Sequence, residues 1–170
     1  GIISDSWYLR LSGREQFCID DPRLEDKPGF PDGKKYSPRH LIGSTIGDEL
    51  RLSNFKQSKV ISISGKPLAA VLSAGHIGNA AYWIDVETGN WTSSAYYMDS
   101  VPSWVNDFNR KQFVALYLSR EWHTYHPKNT YLESLADNNS YEKGFANKQK
   151  TFPYKLSELS RAEGLKLINY

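Results

Sequence analysis

Residues 62–85 read SISGKPLAAVLSAGHIGNAAYWID. Together with the residues before it, the segment opens as a β-branched alternating run, KVISIS over 59–64, which reads as a strand. Gly65 ends that run. Pro67 has a preset φ and no N–H to lose, so it suits the first turn of a helix, here a short one through Leu72. AAYWIDV then resumes a strand pattern, and with WTSSAYY on the far side of ETGN it predicts a β-hairpin. Lys66 therefore stands between the end of a strand and the start of a helix, where sheets often present functional groups. From residue type alone it reads either as a solvated loop lysine or as a mobile point charge able to meet a phosphate oxygen.

Upstream, SWYLRL (6–11) and REQFCI (14–19) flank Ser12-Gly13 and predict a second hairpin. Residues 20–36 are rich in Asp, Pro, Gly and Lys without a period, and read as a surface loop. Ser37 as N-cap and Pro38 at the first helical position predict a helix carrying Leu41, Ile42, Ile46 and Leu50, ending near Leu52. Gly43 and Gly47 cost that helix stability and mark close packing. Downstream, VPSWVNDFNRKQFVALYL (101–118) reads as one helix with Val101, Trp104, Val105 and Phe108 on a shared face. Residues 119–155 read mostly as loop and 156–167 as a last short helix. Hairpins mixed with helices place the chain in the α+β class, as a single domain.

The 170 residues are enough for one domain with a core. A net charge of +2 gives no strong pull toward nucleic acid. No apolar run approaches the roughly 20 residues that span a bilayer. The lone Cys18 excludes an internal disulfide, and it reads as a small buried residue rather than a nucleophile. Asp20 and Asp21 are adjacent, so in extended chain they point to opposite sides and do not share a proton. His123 and His126 stand at i and i+3 with no third ligand evident, which reads as polar loop rather than a metal site. Trp83, Trp91, Tyr96 and Tyr97 offer either a sugar-stacking wall or core and cross-strand packing.

The segments GIISDSWY, SPRHLIGSTIGDELRLSNFKQSKVISISGK, AGHIGNAAYWIDVETGNWTSSAYY and VPSWVNDFN occur in this order over residues 1–109. Together they resemble the nucleotide pyrophosphatase/phosphodiesterase-like branch of the alkaline phosphatase superfamily, in particular its bacterial PafA-type alkaline phosphatases. The resemblance implies an enzyme that holds two zinc ions in a large α/β domain and forms a phospho-enzyme on a threonine. It also implies that residues 1–170, starting with Gly rather than Met, are the insertion or cap of such an enzyme, lying between its nucleophile and its remaining zinc ligands. By that reading the fragment itself carries no metal site and no catalysis, and its partners are the rest of the same chain and a small phosphate ester.

Carried over residue by residue, Lys66 takes the place of the family lysine that reaches a non-bridging phosphate oxygen. The arginine two residues on is replaced by Leu68, and the position of a phosphate-binding Asn falls at Asp5. An aspartate carboxylate accepts hydrogen bonds but donates none. Both departures weaken the expectation of ordinary monoesterase activity. Tyr82 and Trp83 are expected as supports behind the site, and the resemblance implies a periplasmic or secreted setting. The competing readings are a stand-alone carbohydrate- or ligand-binding module built on the aromatic hairpin, and an interaction domain that keeps the cap fold without chemistry.

Overall fold

The computed structural model describes residues 4–30, 34–145 and 149–167. It is α+β, and the chain divides into two compact units, one of residues 1–85 and 90–111, the other of 86–89 and 112–170.

The first unit begins with the expected hairpin, β1 (Ser6–Leu9) against β2 (Arg14–Phe17), with Ser6 opposite Phe17 and a turn that places Gly13 at φ +65°. Next come α1 (Ile46–Ser53), β3 (Ile61–Ile63), α2 (Pro67–Ala74), β4 (Ala80–Ile84), β5 (Trp91–Thr92) and α3 (Ser103–Arg110). The sheet order is β3-β4-β5. β4 pairs in parallel with β3 and antiparallel with β5, the latter being the hairpin read from AAYWIDV and WTSSAYY. The parallel β3–α2–β4 unit was not evident from the sequence, because a two-residue period says nothing about strand direction.

β4 is buried at every residue because helices cover both of its faces, which is why it reads as an unbroken apolar run. On one face Ala81 and Trp83 pack with Cys18, Ile19 and the α2 residues Ala70, Val71 and Ala74. On the other, Ala80 and Tyr82 pack with Val105 of α3, flanked by Trp91, Met98 and Val101.

Two helix expectations are corrected. The helix after the loop starts at Thr45, not at Ser37, with a capping box in which Thr45 Oγ1 accepts from the Asp48 N–H and Asp48 accepts from the Thr45 N–H. Ser37 is not free to cap: its hydroxyl donates to buried Asp21 at 2.8 Å and accepts the Arg39 N–H. Gly43, at φ +97° with open space around it, marks a turn, whereas Gly47 does pack closely, since a Cβ there would stand 2.7 Å from a Val60 methyl. The apolar stripe of this segment faces outward, with Ile42, Ile46 and Leu50 exposed. The single helix expected over 101–118 is two, because Gln112 adopts the left-handed conformation at φ 50° and breaks it between α3 and α4 (Phe113–Leu118).

The second unit holds α4, a two-stranded antiparallel pair of β6 (Glu121–Trp122) with β7 (Tyr154–Lys155), and α5 (Arg161–Leu167). Single 3-10 turns lie at Lys128–Thr130 and Leu156–Glu158. Rings of Trp122, Phe152 and Tyr154 meet with centroids 4.7 to 5.7 Å apart. The expected loop character of 119–155 holds apart from that strand pair.

Candidate functional site

Lys66 is the N-cap of α2, with φ −118° and ψ 137°. Its backbone is fixed from both sides. The Lys66 N–H donates to Ser64 Oγ at 3.2 Å, and the Lys66 carbonyl accepts the Ala70 N–H at 3.1 Å. The residue before the turn is held as well, since the Ser64 N–H donates to the Tyr82 carbonyl at 3.0 Å. The side chain is exposed, makes no capping bond, and forms no ion pair with any described residue. Pro67 takes the first helical position, as the sequence predicts. No side chain caps this end, so the first turn of α2 leaves backbone N–H groups open beside the lysine, and both carry positive charge.

Leu68 is half-buried and packs against the Cys18–Trp83 cluster. The second cation that the family pattern places here is therefore replaced by core packing. Asp5 is exposed at the start of β1, and its carbonyl accepts the Cys18 N–H at 2.8 Å. Asp5 and Lys66 are not ion-paired with each other. Burial first, and then the charge of Asp5, push the Cys18 thiol up.

The aromatic residues divide. Trp83 is 1% exposed and sits on the α2 face with Tyr36 at 5.8 Å. Tyr82 is buried on the α3 face, edge-on to Trp104 at 5.4 Å. Of the two, Tyr82 holds the Lys66 turn, through its backbone carbonyl. Tyr97 is tied to the core, its one hydroxyl proton shared between the carbonyls of Val71 and Gly75 at 3.1 and 3.0 Å. With Trp83 and Tyr97 inside, the four aromatics do not assemble one stacking wall.

Two buried carboxylates brace the unit. Asp48 accepts the N–H groups of Thr45, His76 and Ile77 at 2.9, 3.2 and 2.9 Å, which ties the start of α1 to the chain leaving α2. Burial raises its pKa, but these bonds outweigh that, and it falls below the ordinary aspartate range. Asp21 is held down to about 2, chiefly by Arg23, against the opposing effect of burial and with help from Ser37. Asp20 is pushed the other way by burial.

Among the described residues, no group of three His, Cys, Asp or Glu side chains is placed to hold a metal ion. His123 faces Glu121 at 3.4 Å, and His126 meets Tyr125 edge-on with ring centroids 4.7 Å apart. No helix of the described residues is long and apolar enough to cross a membrane.

No protein-family model matches the chain. It is 40% identical over 169 residues to a Myroides odoratus protein named a calcium-transporting ATPase, covering 99% of this chain and 31% of that one. It is 39% identical over 155 residues to alkaline phosphatase PhoV of Synechococcus elongatus, covering 91% and 28%. The crystal structure of alkaline phosphatase PafA superposes with a TM-score of 0.84 at 36% identity, over 96% of this chain and 32% of that one. The chain is thus homologous to a segment of alkaline phosphatase superfamily proteins, and spans about a third of the length of the relatives it matches.

Proposed function

We propose that this chain is the substrate-covering part, a single insertion or cap, of a longer metal-dependent phosphatase/phosphodiesterase, and that Lys66 contacts a non-bridging oxygen of a small phosphate ester. The observation that carries this is an exposed lysine ammonium, unpaired among the described residues, on a backbone fixed between the carboxyl end of β3 and the start of α2. The names of the relatives support the reaction class. A phosphatase and an ATPase both pass a phosphoryl group to water, one from an ester and the other from an anhydride. Such transfers depend on positive charge and N–H donors set around the equatorial oxygens.

Two zinc ions are expected in the longer protein. The described residues of this chain offer no ligand set for them, so its own contribution is binding and orientation of the phosphate. Lys66 supplies a movable charge and the open end of α2 adds N–H dipoles. Asp5 lies at the substrate edge in this reading, where it accepts but does not donate. With Leu68 packed against the core and a carboxylate at position 5, a doubly charged phosphate loses two favourable contacts. The reading therefore favours a diester, as in nucleotide pyrophosphatase/phosphodiesterase-like enzymes, in a periplasmic or secreted setting.

The experiment compares initial rates of the longer protein carrying this sequence on an aryl phosphate monoester and an aryl phosphate diester, with and without Lys66→Ala. Hydrolysis of the diester at least as fast as the monoester, reduced in the variant, is the expected outcome. No phosphoric ester hydrolysis, or rates indifferent to Lys66, would overturn the proposal, and a strong monoester preference would remove its diester part.

A further inference from the structure

The second unit carries a hollow of its own, whose lining includes neither the hairpin aromatics nor Lys66. It measures about 840 Å³, within the range of about 300 to 1,000 Å³ usual for small-molecule sites. Trp122 of β6, Tyr125, Tyr131 and Phe152 line it. Three of these rings stand in water, with Trp122, Tyr125 and Tyr131 being 45%, 92% and 40% exposed. Large apolar side chains left uncovered around one concavity mark a surface that receives something. Trp122 is also set in place beforehand. It pairs across the strands with Tyr154, their rings 5.7 Å apart, and the Phe152 ring meets it edge-on at 5.3 Å. A ring fixed in advance loses little freedom when a ligand arrives.

The polar groups of the hollow point to the class of ligand. Lys128 Nζ donates to Asp137 Oδ2 and to the Phe152 carbonyl, both at 2.6 Å, and the same carboxylate oxygen accepts the Phe152 N–H at 3.2 Å. An ammonium has three protons and a carboxylate two oxygens, so among the described residues one Lys128 proton and Asp137 Oδ1 are left open. The Tyr131 hydroxyl accepts the His126 N–H at 3.0 Å and keeps its own proton to give. Two donors and an acceptor thus stand beside exposed rings. Charge counts against ionic ligands. A phosphate would meet the carboxylates of Asp137 and Glu142, with the Lys128 charge already paired. An organic cation would find Asp137 balanced by Lys128 and Glu142 engaged by the Asn139 amide at 3.1 Å. The remaining match is a neutral molecule with hydroxyls that both give and accept, and a face of C–H groups for the rings. A sugar ring has both.

We propose that this hollow binds a neutral oligosaccharide, with one hexose ring stacked on Trp122, its hydroxyls bonded to Lys128, Asp137 and Tyr131, and a neighbouring hexose against Tyr125. The site gives the longer protein a hold on glycan that does not depend on the reaction class proposed above.

The test is isothermal titration of the longer protein carrying this sequence with cellohexaose, maltohexaose and mannohexaose, and separately with inorganic phosphate and choline chloride. At least one of the sugars should bind saturably with a Kd below about 1 mM. Trp122→Ala should weaken that binding about tenfold or more. Because Trp122 also packs on Phe152 and Tyr154, Tyr125→Ala supplies the cleaner readout. It should weaken sugar binding by roughly 3- to 10-fold while the unfolding midpoint stays within about 1 °C, since its side chain is almost fully exposed. No heat from any of the three sugars would overturn the proposal. Sugar binding indifferent to both substitutions would place the sugar elsewhere and overturn it too. Choline or phosphate binding that falls in Tyr125→Ala, with no sugar binding to lose, would overturn the assignment to carbohydrate.

Discussion

The Ser64 N–H donates to the Tyr82 carbonyl at 3.0 Å, and two residues later the Lys66 backbone is held by Ser64 Oγ and by the Ala70 N–H. The turn is thus built from main-chain and serine contacts, and the lysine side chain beyond Cβ does nothing for it. Lys66→Ala should leave the thermal midpoint of the longer protein within about 1 °C, because exposed side chains away from special features rarely move stability by more than about 0.5 kcal/mol. It should lower kcat/KM for phosphate esters by roughly 10- to 100-fold, about 1.4 to 2.7 kcal/mol of lost transition-state binding. Lys66→Arg should recover part of the loss, since charge is kept while reach and geometry change. Steady-state kinetics beside a thermal melt checks this, and a fall in midpoint matching the fall in rate would assign Lys66 to structure.

Asp48 and Gly75 form a second dependent pair. Gly75 has φ +72°, and a Cβ built on it would stand 2.4 Å from an Asp48 carboxylate oxygen. The carboxylate takes three main-chain N–H bonds, which need it where it is. Gly75→Ala should therefore destabilise by about 1 to 3 kcal/mol through left-handed strain and displacement of Asp48. Asp48→Ala should cost about 2 to 4 kcal/mol by leaving buried N–H groups without partners. The double variant should cost less than the sum, because each change disrupts the same contact. Chemical denaturation of the four proteins measures it, and strict additivity would uncouple the pair.

These contacts also show which parts of the fold the sequence makes legible. Gly65-Lys66-Pro67 announces a strand end and helix start through proline chemistry that acts locally, and the structure starts α2 at Pro67 as read, while β3 covers only Ile61–Ile63 of the 59–64 run. The Ser37-Pro38 signal is equally local in form, yet Ser37 binds Asp21, sixteen residues earlier in the chain, and that tertiary claim overrides its capping role. The break at Gln112 has no Gly or Pro to signal it. The stripe of Ile42, Ile46 and Leu50 is read correctly as apolar, yet it lies exposed, because periodicity reports which residues share a face and not what covers it. Lys66 was found by its place between elements, while its lack of a partner was visible only in three dimensions. Asp48 was missed altogether, though Thr45 and Asp48 at the spacing of a capping box were there to be read.

Acid should act on the fold through Asp21. Its carboxyl is lowered from 3.8 to about 2 by Arg23 above all, against burial and with Ser37 assisting. A carboxyl whose folded pKa is depressed contributes stability above its unfolded pKa and loses it as pH falls through the folded one. The contribution is thus complete at neutral pH and drains away between about pH 4 and about pH 2. Asp48 drains in the same direction, and Asp20, raised by burial, runs the opposite way and softens the loss. Asp21→Asn should be clearly less stable than the parent at pH 7, and the gap should narrow as pH falls toward 2 and close below it, where both side chains are neutral. Urea midpoints of the two proteins across that range test it, and a gap independent of pH would show that Asp21 acts by shape alone.

Cys18 gives a readout of whether the hairpin stays closed. The thiol is fully buried among Ile19, Ala70, Val71 and Trp83, and its N–H is bonded to the Asp5 carbonyl across the hairpin. A disulfide reagent needs a thiolate it can reach, and both conditions fail here, since burial and then the Asp5 charge raise the pKa. The native protein should therefore show essentially no reaction with a chromogenic disulfide reagent at pH 8, and one thiol should react at once in denaturant. Asp5→Asn should leave the native protection intact, because burial is the larger cause and is untouched by the change. If the substituted protein reacted quickly while remaining folded, the Asp5 carboxylate would be holding the edge of the hairpin down, and its exposed position would serve the fold before it served any substrate.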